Sequence, residues 1–128
     1  MLKPAAILFG LFFIVAGIGG FVPSLAPAGM LFGIFMVGPV HNVIHLASGA
    51  VALICGFAGA GASRKYFQIF GIVYLLVGLS GFYYGNQPLV GMVEHNQADI
   101  WLHIGIAAVS LLLGFSTSRA ASAATAGV

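Results

Sequence analysis

The ionisable chemistry of this chain is gathered at two places in the sequence. His41 and His45 stand four residues apart, and so do Asp99 and His103. On a helix, that spacing puts both members of a pair on one face, about one turn from each other. Three imidazoles and a carboxylate brought together in this way form a donor set for a divalent transition metal such as zinc, copper or iron. Asn42, His95 and Asn96 lie beside the four and are placed to orient them through hydrogen bonds. For metal-assisted hydrolysis one coordination position would have to stay open to water, which leaves either Asp99 or one histidine outside the ligand set.

The same residues allow two other readings. His45 and His103, carried on facing helices, would serve as the axial ligands of one haem b in an electron-transfer protein. Alternatively the histidines only hydrogen-bond between helices, to Asp99, Asn42, Ser48 or a tyrosine, in a non-catalytic membrane subunit or a pH-responsive element. Met30, Met36 and Met92 would suit copper(I), although methionine is also common apolar filler. No nucleophile elbow, phosphate loop, dinucleotide fingerprint or Cys-x-x-Cys pair occurs, so any enzymology must rest on the histidine and aspartate cluster.

The elements that carry these residues follow from composition. With 61% hydrophobic and 5% charged residues, the chain departs so far from a soluble domain that its solvent must be the lipid bilayer. Four apolar stretches are long enough to cross it: about Ala5 to Val22, Val40 to Ala60, Phe67 to Gly85 and Asp99 to Phe115. The 19 glycines, many of them inside these stretches, let helix backbones approach closely in lipid. Gly10 and Gly17, Gly49 and Gly56, and Gly71, Gly78 and Gly85 recur at seven-residue spacing, which puts each set on one helix face. Residues 1–116 are therefore read as one four-span domain, and 117–128, rich in alanine and serine, as a disordered cytoplasmic tail. The formal net charge of +2 and the lack of a basic stripe with interleaved aromatics argue against a nucleic-acid partner. A chain this small could instead work with a membrane partner protein or as a homo-oligomer. Cys55, the lone cysteine, can form no internal disulfide.

Lys3, Arg64, Lys65 and Arg119 all fall on one side of a four-span chain, which the positive-inside rule makes cytoplasmic, together with both termini. Glu94, Asp99 and the four histidines then lie at the external end. Lys3, the apolar run after it and Ala26-Pro27-Ala28 imitate a signal peptide with its cleavage site. The run is longer than a signal core, however, and is read as the first span. The stretch Met30 to Val37 is too short to cross and is expected to form an interfacial or re-entrant helix ended by Gly38-Pro39. His95 and Glu94 are expected to be hydrated near the interface. Asn96 followed by Asp99 also has the form of a helix N-cap with an acidic third residue, a structural role for Asp99 that competes with metal binding.

Comparing the two halves reveals an internal repeat. Gly10, Gly17, Gly20 and Phe21 recur as Gly71, Gly78, Gly81 and Phe82 at an offset of 61, and His45, Leu53, Gly56 and Phe57 as His103, Leu111, Gly114 and Phe115 at an offset of 58. Each unit holds two spans, so both enter the membrane in the same orientation. The expected fold is an all-α four-helix transmembrane bundle built from two tandem two-helix hairpins related by a pseudo-two-fold axis along the membrane normal.

The strings His41-Asn42-Val43-Ile44-His45-Leu46-Ala47-Ser48-Gly49 and Asn96-Gln97-Ala98-Asp99-Ile100-Trp101-Leu102-His103 resemble a bacterial family of small four-span membrane proteins, number 4383 among the domains of unknown function. The resemblance implies a multi-pass protein of the bacterial inner (cytoplasmic) membrane. It brings no activity with it.

Overall fold

The computed structural model describes residues 1–116, so the tail at 117–128 and Arg119 lie outside the described residues. The described chain is helical: α1 (Leu2–Gly19), α2 (Pro39–Ala58), α3 (Ala60–Tyr84) and α4 (Gln97–Leu111), the last continuing into a wider π turn at Leu112–Ser116. All four helices are long and apolar enough to cross a membrane. Leu8, Val15, Ile54, Phe57, Ile69 and Leu76 turn outward, giving the bundle the apolar surface that a bilayer covers.

Local sequence explains where the helices start and stop. Pro39 opens α2 at a position where its missing N–H is no loss, after Gly38 in extended conformation. One residue, Gly59, joins α2 to α3 at φ +141°, a backbone region that side chains disfavour. The Ser63 hydroxyl closes this junction by donating to the carbonyls of Gly59 at 2.8 Å and Cys55 at 3.2 Å. The basic pair Arg64 and Lys65 therefore lies on α3, where the hydropathy reading placed a loop. At about 1.5 Å per residue, this 25-residue helix is roughly 37 Å long and outreaches a hydrocarbon layer of about 30 Å. Its first turns can thus carry charge with their backbone groups already paired.

The interfacial helix expected at Met30–Val37 does not form. A 3₁₀ turn at Pro27–Gly29 leads into a short hairpin, β1 (Met30–Leu31) paired antiparallel with β2 (Phe35–Met36). Gly29, Phe32 and Gly33 at φ +79°, +55° and +72° reverse the chain too often for a helix. Leu31 and Val37 are buried with Ala16 and Ala26, so the hairpin folds down over the end of α1. The second connection is pinned by a single bridge between Leu89 and Val93.

α1 packs chiefly on α2 and α3 chiefly on α4, and the two pairs meet through α2 with α3 and α1 with α3. The glycine seams recur at the offsets read from the sequence. A β-carbon on Gly10 would lie 2.6 Å from Leu53 Cγ, and one on Gly71 2.8 Å from Leu111 Cγ. Gly17 meets Leu46 at 2.7 Å as Gly78 meets Ile104 at 2.8 Å, and Gly56 meets Ile7 as Gly114 meets Gln68, both at 2.8 Å. Gly20 sits directly on Asn42, as Gly81 does on Ile100. Gly85 is the exception to the seven-residue pattern: it ends α3 with open space around it. Between the seams lies an aromatic core in which Phe13 meets Phe70 at 5.3 Å and Phe70 meets Tyr74 at 4.1 Å.

Candidate metal centre

The first turns of α2 present His41 and His45 on one face, with ring centroids 4.4 Å apart. α4 brings His103 to within 5.8 Å of His41, centroid to centroid. One potential ligand atom from each of the three lies within 4.8 Å of the others. All three side chains are buried, at 2%, 6% and 5% exposure respectively, at a depth where an unpartnered polar group is costly.

His41 is held from outside the cluster. Its Nδ1 lies 2.7 Å from the carbonyl oxygen of Glu94. A carbonyl can only accept, so Nδ1 carries the proton and donates, leaving the lone pair on Nε2. That Nε2 is buried and makes no hydrogen bond among the described residues, although the Met36 backbone also faces the ring, and Nδ1 of His45 likewise makes none. A histidine fixed by one nitrogen to a backbone carbonyl, with the other bare, is arranged as metal-binding histidines are.

The two deeper histidines are wedged by aromatic edges at equivalent places in the repeat. Phe13 meets His45 at 5.5 Å and Tyr74 meets His103 at 5.3 Å. The sequence reading missed both aromatics and the Glu94 carbonyl. The repeat offered a signal for the aromatics, because Phe13 and Tyr74 stand at the same offset as the glycines.

Asp99 is buried but is not one of the three converging groups. Its carboxylate accepts from the Asn96 backbone N–H at 2.9 Å while the Asn96 side chain accepts from the Asp99 N–H at 3.0 Å, a reciprocal cap on α4. The Met36 backbone faces the same carboxylate. Asp99 shares with His45 the lining of a smaller cavity of about 390 Å³ between α1, the hairpin and α4.

The residues expected to orient the ligands act on the framework. The Asn96 amide donates to Ile34 O at 2.9 Å, tying the two connections together. Asn42 is buried against Gly20. His95, expected to be hydrated, is 2% exposed, and its Nε2–H donates to Gln87 O at 2.8 Å, which folds the α3–α4 connection inward. Glu94 is exposed, as expected; its backbone carbonyl bonds to His41, and its carboxylate acts on that ring only through space. Chemically, three neutral imidazoles at this spacing can hold a first-row transition metal and leave coordination positions over.

The chain belongs to the family described as a domain of unknown function (DUF4383), whose family model matches residues 3–116. No curated protein and no solved structure matches it.

Proposed function

We propose that this multi-pass membrane protein holds one divalent transition-metal ion, zinc, copper or iron, on His41, His45 and His103, and that at least one coordination position stays open. The observation that carries this reading is the bare, buried Nε2 of His41, locked into a lone-pair tautomer by the Glu94 carbonyl within a cluster of three histidines. Such an atom needs a partner, and a metal shared by three imidazoles provides one. Asp99 lies outside the three-histidine set, and to become a fourth ligand it would have to leave its cap. Haem b is a poorer fit, because the His41 ring lies against both would-be axial histidines. Metal handling and metal-assisted chemistry both suit an open three-histidine site.

The recurrent seams support a pseudo-two-fold relation between the hairpins α1–α2 and α3–α4 in a single four-span domain over residues 1–116. The one-sided basic residues support cytoplasmic termini and an external histidine end, in a bacterial inner membrane.

The test is metal stoichiometry by mass spectrometry on protein purified without an affinity tag or chelator. Wild type should carry one equivalent. His45→Ala and His103→Ala should each lose it, because two ligands on the remaining elements hold a metal far more weakly than three. Glu94→Ala should keep it, since the contact to His41 comes from the backbone. Wild-type protein that stays metal-free after incubation with zinc, copper and iron would overturn the proposal and leave the histidines as hydrogen-bonding groups.

A further inference from the structure

The three histidines also form part of the wall of a groove between α2 and α3, about 870 Å³ in volume. The groove starts beside Leu89 and Tyr84 at the histidine end and reaches Lys65 at the basic end. Between His41 and Cys55 it follows α2 for roughly 21 Å at about 1.5 Å per residue. Its rim includes Val51, Ile69 and Val73, which are exposed, so its mouth opens sideways where the bilayer stands. This is the size of a ligand site, and its approach is through lipid.

The groove has little free polar capacity away from its ends. The Tyr66 hydroxyl donates to Ser48 O at 3.3 Å, and Tyr74 is bonded to the Ser48 side chain. A metal on three neutral imidazoles would keep its double positive charge in a low-dielectric setting, where an uncompensated charge is expensive. Of the two carboxylates nearby, Asp99 is committed to its cap and Glu94 is exposed to solvent, acting on His41 only through space. Charge complementarity therefore calls for an anionic oxygen donor, and the groove admits one that arrives with a long apolar chain.

Building on the metal reading, we propose that the α2–α3 groove binds a long-chain amphiphile, its anionic oxygen head on the metal at His41, His45 and His103 and its chain lying along the groove toward Lys65. A fatty carboxylate and a phospholipid phosphate share this chemistry, and separate arms of the experiment distinguish them.

Zinc-loaded protein in detergent is mixed with palmitate in one arm and dioleoyl phosphatidylglycerol in the other, and bound ligand is counted by native mass spectrometry. One of the two should bind at one equivalent and weaken by at least about tenfold after zinc is stripped with a chelator. Val73→Trp, which fills the groove at a half-exposed position, should abolish ligand binding and keep zinc. Lys65→Ala should leave binding within about twofold. The inference fails if zinc-loaded wild type binds neither ligand, if chelation makes no difference, or if Val73→Trp binds as wild type does. Loss on Lys65→Ala would put the head at the wrong end and also overturn it. In all these cases the metal site itself stands. Wild type that takes up no zinc overturns the metal reading first, and the anchored amphiphile with it.

Discussion

At the scale of single residues, the centre turns on what each backbone neighbour asks of a side chain. The partner facing position 41 is the Glu94 carbonyl, which requires a donor, so an imidazole there turns its lone pair inward. The partner facing position 99 is the Asn96 N–H, which requires an acceptor. An imidazole at 99 that satisfied it would turn an N–H inward and could not bind metal. Asp99→His should therefore bind zinc no more tightly than Asp99→Asn, within about threefold, in a competition titration with a chromophoric chelator. A gain of about tenfold or more for Asp99→His would show that position 99 is a ligand position after all. This contrast also explains what the sequence could reveal. His41, His45 and His103 were legible from type and spacing, and Asp99 was read alongside them because it shares the spacing. The Glu94 contact was hidden, because a backbone carbonyl carries no residue-type signal. The capping role of Asp99 was visible in Asn96-x-x-Asp99, but spacing alone could not decide between cap and ligand.

At the scale of elements, the helices are held by close backbone approach along the seams. A β-carbon at Gly78 would come within 2.8 Å of Ile104 Cγ1 and 3.3 Å of its backbone nitrogen, and Gly56 is as tightly placed against Ile7. Gly78→Leu and Gly56→Leu should each destabilise the bundle by a few kcal/mol, through overpacking that neither neighbour can relieve without moving a helix. Gly59→Ala should cost about 1 to 3 kcal/mol by backbone strain alone, since open space surrounds it. Leu112→Ile, on an exposed face, should be mild. Thermal unfolding in detergent that ranked Leu112→Ile as the most damaging would mean that the seams do not hold the bundle together. The seams were legible because glycine recurrence survives in both halves. The start of α3 and the 30–36 hairpin were not. Hydropathy treats charge as the end of a helix, and a short apolar run takes its form from the positive φ values at Gly29, Phe32 and Gly33 rather than from its hydrophobicity.

At the scale of the whole molecule, four helices long and apolar enough to span were plain from composition, while their orientation rests on where the basic residues fall. A reporter inserted beside Arg64 should read cytoplasmic and one beside Pro88 external; the opposite result would put the histidine end on the cytoplasmic side. α2 and α3 are fastened at the basic end by the one-residue turn at Gly59, sealed by Ser63, while at the histidine end His41 holds Glu94 in the connection that follows α3. A pair joined directly at one end, and only through a connecting segment at the other, has most freedom to part at the second. As the two helices part, their exposed flanks at Val51 and Val73 push directly against the surrounding acyl chains. Entry of the proposed amphiphile would then be timed by the lateral pressure and chain order of the membrane, so a stiffer bilayer should slow its entry and exit alike.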